Sequence, residues 1–215
     1  MKRLEIFCFA IILSFCLHGA ASGGKDDYRA VRIGKLDWMA TNLNVVTFRN
    51  GDTIREARSD SEWIRAGIER RPAWCHYENS TGNGPGYGKL YNWYAVHDPR
   101  ILAPVGWHVA SDEEWRQTTD FLGGEDAAGT RMKNGSGWNQ DGNGINDSEF
   151  SGLPGGCRDL NGKFSGRGTI GFWWTTTEYD EDLAWYRCID ISPYYVYRTN
   201  YYKRNGLSVR CIKDH

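Results

Sequence analysis

The sequence predicts a single α+β domain, and three observations lead to that fold class. Two segments carry a helix-start signature, a serine followed three residues later by glutamate. Short aromatic and β-branched runs, broken by Gly, Asn and Asp, fill residues 150–211 and are typical of a meander of short strands. No internal repeat or interdomain linker interrupts residues 23–215, so we expect one domain there.

The first 22 residues have the layout of a secretory signal peptide. Two basic residues precede an apolar run, residues 6–17, and small residues follow it. The run is shorter than the roughly 20 apolar residues that span a bilayer. We therefore expect an exported protein, whether secreted, periplasmic or at the cell surface, with no transmembrane span. A lipid anchor at Cys16 is the less favoured alternative, because the bulky Phe15 precedes it.

Strand signals open the domain. Val31–Ile33 and Leu36–Met39 flank Gly34-Lys35, which predicts a hairpin with a tight turn. Residues 45–48 form a third short apolar run, which predicts another strand.

The first helix is expected to begin at Ser59, because Glu62 completes a capping box, and to end before Pro72. Its expected buried face consists of Trp63, Gly67 and Ile68. Residues 89–96 are rich in apolar and aromatic types, and periodicity there suits a short helix or a buried strand equally.

A second helix is the clearest signal in the sequence. Ser111 and Glu114 form a capping box, acidic residues fill the first turn, and Gly123-Gly124 supplies the stop. Its expected buried face consists of Trp115, Thr118, Thr119 and Leu122. A short helical turn over 125–133 follows, and the Gly/Asn/Asp-rich residues 134–149 predict a long irregular loop.

Composition excludes one class of partner and leaves the cysteine chemistry open. The formal net charge is −1, so the chain has no global field for capturing nucleic acid. Beyond the signal peptide an even number of cysteines remains, which suggests disulfides in an exported protein, with free buried thiols as the alternative. These cysteines are Cys75, Cys157, Cys188 and Cys211.

Ordered motifs across most of residues 23–215 resemble the Fibrobacter succinogenes major paralogous domain, a family of exported bacterial proteins. The motifs are Trp38–Leu43, Cys75–Tyr77, Gly88–Val96, Pro104–Val109, Ser111–Trp115, Asn146–Phe150, Leu153–Gly156, Phe172–Thr175, Ala184–Arg187 and Ser208–Cys211. The resemblance implies a C-type-lectin-like fold, with two helices packed on a small twisted antiparallel sheet and long loops on one side. It implies no specific biochemical role.

Departures from the family pattern suggest a disulfide pairing. Ala103 stands where family members usually carry a cysteine, whereas Cys157 and Cys188 are additional. The simplest account bonds the added pair, Cys157 with Cys188, and leaves Cys75 for Cys211.

The loop that follows residue 140 is a candidate calcium site, because calcium takes six to eight oxygen ligands from flexible segments. Its candidate ligands are Asp141, Asn143, Asp147 and Glu149. The same residue types are also ordinary turn formers, and the spacing is not that of an EF-hand. Calcium is therefore a possible cofactor, and the sequence implies no other.

Residues 194–205, here called the tyrosine strip, are the candidate ligand-binding segment. Tyrosine offers stiff contact area with a polar tip and is enriched at recognition surfaces. The candidate ligand-binding residues are Tyr194, Tyr195, Tyr197, Arg198, Tyr201, Tyr202 and Arg204. Strand alternation would put Tyr195, Tyr197 and Thr199 on one face, and Tyr201, Tyr202 and Arg204 are expected to be the more exposed. Cross-strand aromatic pairs that stabilise a sheet are the alternative.

No catalytic motif stands out in the sequence. We therefore expect a non-catalytic exported binding module that recognises a carbohydrate or a protein surface through its loop and aromatic residues. The alternatives are a structural or assembly protein of the bacterial cell surface and, less favoured, a hydrolase using paired carboxylates such as Glu113 and Glu149. The indoles within the family motifs are expected in the core, and His108 is expected to be a structural, hydrogen-bonded histidine.

Overall fold

The computed structural model describes residues 28–83, 86–192 and 194–215, and it has an α+β fold. The expected signal peptide and Cys16 lie outside these residues. In this part of the chain the α-helices are α1 (Asp60–Ile68), α2 (Trp93–Val96), α3 (Asp112–Phe121) and α4 (Ala128–Met132). The strands are β1 (Ala30–Ile33), β2 (Leu36–Met39), β3 (Arg55–Glu56), β4 (Ala73–Cys75), β5 (Leu90–Asn92), β6 (Trp107–Val109), β7 (Gly155–Arg158), β8 (Phe164–Arg167), β9 (Ile170–Glu178), β10 (Leu183–Asp190), β11 (Tyr197–Tyr202), β12 (Gly206–Leu207) and β13 (Cys211–Lys213).

The strands form three sheets. A four-stranded sheet has the order β1-β2-β13-β6, a three-stranded sheet β11-β10-β9, and a six-stranded sheet β3-β4-β5-β12-β7-β8. All pairs are antiparallel except β3 with β4. The α+β class is confirmed, but the described residues carry three sheets and four α-helices in place of the single small sheet and two helices expected.

One short segment ties the sheets together. Ser208 follows β12 of the six-stranded sheet and precedes β13 of the four-stranded sheet. Its backbone oxygen accepts from the Trp174 amide at 3.0 Å, and its amide donates to the Phe172 carbonyl of β9 at 3.2 Å. The three-stranded sheet is therefore held by main-chain hydrogen bonds to the segment that joins the other two sheets.

The predicted hairpin is confirmed, with Ile33 opposite Leu36 across the turn of β1 and β2. The predicted strand at residues 45–48 is wrong. That segment makes only an isolated bridge, Thr47 to Thr53, because residues 50–52 turn the chain back on itself.

Both capping boxes start helices. Ser111 accepts from the Glu114 amide, and the Glu114 carboxylate accepts from the Ser111 amide at 2.8 Å. In α1 the Ser59 side chain accepts from the Glu62 amide, but Glu62 reaches one residue further back, to the Arg58 amide. The buried face predicted for α3 is confirmed, whereas that of α1 is wrong at Ile68, which is 66% exposed.

Residues 89–96 contain both elements that the periodicity allowed. Strand β5 ends at Asn92, whose side chain then caps α2 by accepting from the Ala95 amide. The same side chain accepts from the Ala73 amide at 3.0 Å and donates to the Arg71 carbonyl at 2.8 Å. One buried amide therefore ends the strand, starts the helix and fastens the chain that leads into β4.

Tryptophan dominates the core. Trp115 and Trp173 pack together with Phe150, and all three are inaccessible to solvent. The core assignment of the motif indoles is confirmed except at Trp185, which is half-buried.

Three arginines are also buried within the strands or beside them. Arg158 donates to the carbonyls of Gly162 and Ala57, and Arg210 donates to those of Met39 and Phe150. The third, Arg187, pairs with acidic side chains of α3 and of the turn before α4. Because a guanidinium has five donors, Arg158 and Arg210 can each satisfy two backbone carbonyls that would otherwise be buried without these donors.

Candidate binding surface

Strand β11 is an edge strand. It pairs with β10 from Tyr197 opposite Cys188 to Tyr202 opposite Leu183, and its other edge has no strand partner among the described residues. Four tyrosines of the tyrosine strip reach solvent, with exposed fractions of 55, 43, 38 and 44% respectively. They are Tyr194, Tyr195, Tyr197 and Tyr202.

The start of the tyrosine strip is fixed against α4 and the turn before it. Val196 is buried, and its amide donates to the Glu125 carbonyl at 2.9 Å. The Gly129 amide donates to the Tyr194 carbonyl at 2.7 Å. A Cβ at Gly129 would lie 2.6 Å from that oxygen, so only glycine permits the close approach.

The other end of the strip is fixed by Lys203. Its buried ammonium donates to the carbonyls of Asp180 and Glu181, at 2.6 and 2.7 Å, and to the Glu178 carboxylate. It also lies 4.8 Å from the ring centre of Trp93. The exposed tyrosines are therefore carried on a segment with two buried anchors.

Alternation along β11 follows the prediction, with Tyr197 and Thr199 opposite Cys188 and Tyr186 on one face. The rings of Tyr195 and Tyr197 stack, with centres 5.6 Å apart. Tyr201 lies on that same face but packs inward, 5.6 Å from Tyr186, and burial raises its pKa. The expected exposure is therefore confirmed for Tyr202 and wrong for Tyr201.

The two arginines of the predicted site support the surface and are not free. Arg198 stacks 3.4 Å above Trp185 and donates to Asp112 at 2.8 Å. Arg204 is half-buried, and its aliphatic stem packs on α1, where a Cβ at Gly67 would come within 3.1 Å of it. The exposed aromatic residues of the strip are therefore the four tyrosines, and strand alternation puts Tyr197 and Tyr202 on opposite faces of β11.

The candidate calcium ligands do not converge in the described part of the chain. Both oxygens of Asp147 accept from Arg131 at 3.0 Å, and Glu149 accepts from Arg29 at 2.8 Å. The Asn143 side-chain oxygen accepts from the Trp138 amide, and Asp141 sits in a left-handed turn with φ of 56°. No group of three or more His, Cys, Asp or Glu suited to a metal occurs in residues 28–83, 86–192 and 194–215.

Neither predicted disulfide is formed, since all four cysteines are free thiols. Cys75 lies in β4 and Cys211 in β13, which belong to different sheets and different core clusters, so these two are separated by the fold. Cys157 and Cys188 contribute to one cluster without being bonded.

The carboxylates considered for hydrolysis are held by arginines. Glu113 accepts from Arg116 and Gln117, and these hydrogen bonds lower the pKa of Glu113 to about 2, which is unsuited to a proton donor at neutral pH. Glu149 is paired with Arg29.

Sequence reasoning missed the three buried arginines and the supports that they provide. One signal was present, because each is adjacent to a cysteine: Cys157-Arg158, Arg187-Cys188 and Arg210-Cys211. Neighbouring residues of a strand face opposite sides of the sheet. A cysteine next to an arginine is therefore compatible with a strand that is covered on both faces, in which the arginine is also buried. His108 is confirmed as a structural histidine, bonded to Glu114 and Asp214 at 2.7 Å each.

The fold and surface define an aromatic-rich α+β domain with one exposed, tyrosine-bearing edge strand. The model of the Fibrobacter succinogenes major domain matches residues 31–213, and the chain belongs to that family. No curated protein and no solved structure gave a match. Within the described residues no helix is long and apolar enough to cross a membrane.

Proposed function

We propose that the protein is a non-catalytic, exported binding module that recognises a carbohydrate or a protein surface through the tyrosine strip. The supporting observation is the exposure of Tyr194, Tyr195, Tyr197 and Tyr202 on one edge strand and the loop before it. Export rests on the signal-peptide pattern of the first 22 residues. The C-type-lectin-like fold remains part of the proposal, on the family resemblance.

The anchoring of the strip supports a recognition role. Exposed aromatic side chains cost conformational entropy when a ligand orders them, and a fixed backbone lowers that cost. Val196 and Lys203 hold the two ends of the segment, and the stack of Tyr195 on Tyr197 limits ring motion between them. Such a surface is largely organised before a ligand arrives.

The chemistry of the strip suits both ligand types. A phenol ring offers an apolar face for a sugar ring or an apolar side chain, and its hydroxyl donates and accepts hydrogen bonds. An edge strand also offers main-chain donors and acceptors to an extended polypeptide. The two ligand types differ in which part of the surface they need, namely ring faces or the strand edge.

Glycan and peptide arrays probed with residues 23–215 test the proposal. We expect a ligand whose binding is weakened at least tenfold by Tyr197→Ala or Tyr202→Ala, since such contacts carry about 1.4 kcal/mol or more at recognition surfaces. Phe121→Ala is the matched control, because this α3 ring is exposed on a different element. A ligand whose affinity is unchanged by both tyrosine variants would exclude the strip as its site.

Assembly at the cell surface is the second candidate function, and the free edge of β11 favours it. The strand has six residues, contains no proline and pairs with β10 without a bulge. Such an edge is a template for strand pairing between chains. Dimers or filaments that disappear on substitution of Thr199 by proline, with no ligand found on either array, would favour assembly over ligand binding.

A further inference from the structure

An open pocket of about 300 Å³ lies between α1, β3 and the turn before β3. Its floor is apolar, with Ile54 and Ala66 buried and Pro72 half-buried. The lining also includes the Phe48 ring, which is covered by the Arg100 guanidinium at 4.2 Å. The pocket therefore offers an aliphatic floor and no exposed aromatic face. It is called the arginine-rimmed groove below.

Two arginines of its rim share a single carboxylate. The Nε atoms of Arg65 and Arg71 contact different oxygens of Glu69, at 2.8 and 3.1 Å. Within residues 28–83, 86–192 and 194–215, the terminal nitrogens of these two guanidinium groups make no hydrogen bond to a carboxylate. Each guanidinium therefore keeps donors that can bind a further anion.

A third arginine of the rim is weakly paired. The Arg55 guanidinium lies 3.6 Å from Glu62, which is beyond hydrogen-bonding distance. The other oxygen of Glu62 accepts from the Arg58 amide at the start of α1. Three guanidinium groups therefore face two carboxylates, and one of these carboxylates is also engaged in capping the helix.

The fourth arginine, Arg100, forms part of the wall of the groove and is paired with carboxylates. Arg100 donates to both oxygens of Asp98, at 2.8 and 2.9 Å, and to Asp52 at 3.1 Å. Because its charge is already matched, the excess positive charge lies on the α1 side, at Arg55, Arg65 and Arg71.

These features select a ligand with a carboxylate next to an aliphatic group. Guanidinium forks match a carboxylate in geometry and charge. The floor accepts a branched aliphatic side chain, while a sugar ring would lack an aromatic face to stack on. The volume is at the lower limit for ligand pockets, which suits one residue, and the open side lets a chain leave.

We propose that the arginine-rimmed groove binds the free carboxyl terminus of a partner polypeptide that ends in an aliphatic residue. The carboxylate would contact the terminal nitrogens of Arg65 and Arg71, whose Nε atoms Glu69 occupies, with Arg55 alongside, and the last side chain would contact Ile54 and Ala66. This site shares no residue with the tyrosine strip, and it does not depend on the function proposed for the strip.

The test uses an acetylated Gly-Ser-Gly-Ser-Leu peptide, as the free acid and as the carboxamide, titrated into ¹⁵N-labelled residues 23–215. We expect the free acid to shift the backbone amide resonances of Ile54 and Ala66. The carboxamide should bind about tenfold more weakly or worse, because it loses charge-assisted hydrogen bonds. Equal binding of acid and amide, or no shift with either peptide, would overturn the proposal.

Variants locate the carboxylate. Arg65→Gln and Arg71→Gln should each weaken the free acid about tenfold while leaving the weak carboxamide binding unchanged. Arg58→Gln is the matched control: this exposed arginine of the same segment pairs with Glu56 and does not line the groove. Binding that survives both rim variants contradicts the assignment.

Binding of two small carboxylic acids tests whether the ligand of the groove is a polypeptide terminus or a metabolite. 3-Methylbutanoate carries the same carboxylate and branched chain without a peptide, and galacturonate carries the carboxylate on a sugar. We expect both to bind more weakly than the free-acid peptide. Equal or tighter binding of either one would replace the polypeptide terminus as the ligand.

Discussion

The tryptophans of the core and the tyrosines of the strip are two aromatic populations with opposite environments. Five tryptophans are fully buried, whereas four tyrosines between residues 194 and 202 are 38–55% exposed. Three of the buried indoles donate to specific partners: Trp173 to Asn42 at 2.8 Å, Trp38 to Thr118 at 2.9 Å and Trp174 to the Tyr91 carbonyl at 2.9 Å. The exposed rings instead lie on a backbone that is held at its ends. The same aromatic richness in the sequence therefore serves stability in one region and leaves a contact surface in the other.

The difference also extends to the arginines near each population. Arg210 is enclosed by the core, where it donates to two backbone carbonyls and to the Asn42 side chain. Arg198 lies at the surface and stacks on the half-buried Trp185. The buried guanidinium of Arg210 holds the backbone around it, whereas the surface guanidinium of Arg198 packs on the strand beside the tyrosine strip. We therefore expect substitutions in the core to lower stability and substitutions in the strip to weaken binding.

The largest effect is expected from Trp173→Ala. Removal of this enclosed ring creates a cavity beside Trp115 and Phe150 and leaves the Asn42 side chain with one donor fewer. We expect a loss of about 3–5 kcal/mol in the free energy of unfolding, measured by denaturant titration. Tyr202→Ala is the matched surface control and should stay within about 0.5 kcal/mol. Similar losses in the free energy of unfolding for the two variants would contradict the different roles assigned to the buried tryptophans and the exposed tyrosines.

A somewhat smaller effect is expected from Arg210→Met. The methionine fills part of the volume but leaves the carbonyls of Met39 and Phe150 buried without donors. We expect a loss of about 2–4 kcal/mol in the same titration. Arg29→Met removes an exposed ion pair with Glu149 and should cost less than about 1 kcal/mol. An Arg210 variant as stable as the Arg29 variant would show that the buried guanidinium is dispensable.

The smallest effect is expected at His108, which is half-exposed on β6 between two buried residues. Hydrogen bonds that the His108 ring donates to the carboxylates of Glu114 and then Asp214 raise the pKa of His108 from 6.5 to about 9. Because the folded-state pKa is the higher one, this stabilisation is complete below pH 6.5 and is lost as the pH rises through about 9. Solvent screening reduces it to about 1 kcal/mol.

The measurement is the thermal midpoint between pH 6 and pH 10, compared with that of His108→Gln. The variant should lose this part of the pH dependence while keeping the helix cap at Ser111. An identical pH profile in both proteins would show that His108 does not contribute to the pH dependence of stability. The half-exposed His108 would then not stand between the buried core and the exposed strip in its effect on stability.

Local signals in the sequence were sufficient for several elements. The capping boxes at Ser59 and Ser111 start helices as predicted, and the β1–β2 hairpin turns at Gly34-Lys35. The irregular loop at 134–149 is also confirmed, and so are short strands between residues 150 and 211, although only β9, β10 and β11 form a three-stranded meander. Each of these depends on hydrogen bonds or turn conformations between residues close in sequence.

Features that depend on distant contacts were not predictable in the same way. The inward turn of Tyr201 follows from its pairing opposite Ala184 and its contact with Tyr186, on a different strand. The pairing of Asp147 with Arg131 needed the position of α4. For the candidate site, composition singled out the segment, but the division into exposed tyrosines and supporting arginines required the three-dimensional packing.

The position of the free thiols has a consequence for measuring how the domain opens. Every sheet carries a cysteine in a strand: Cys75 and Cys157 in the six-stranded sheet, Cys188 in the three-stranded sheet and Cys211 in the four-stranded sheet. Burial raises the pKa of Cys75 to about 12 and raises that of Cys211 as well. The thiolate is the form that attacks alkylating reagents, so labelling at the buried Cys75 and Cys211 must await exposure of their strands. The native chain thus contains built-in probes of its own opening, and equal labelling rates at the buried Cys75 and Cys211 would mean that the six-stranded and four-stranded sheets open as one cooperative unit.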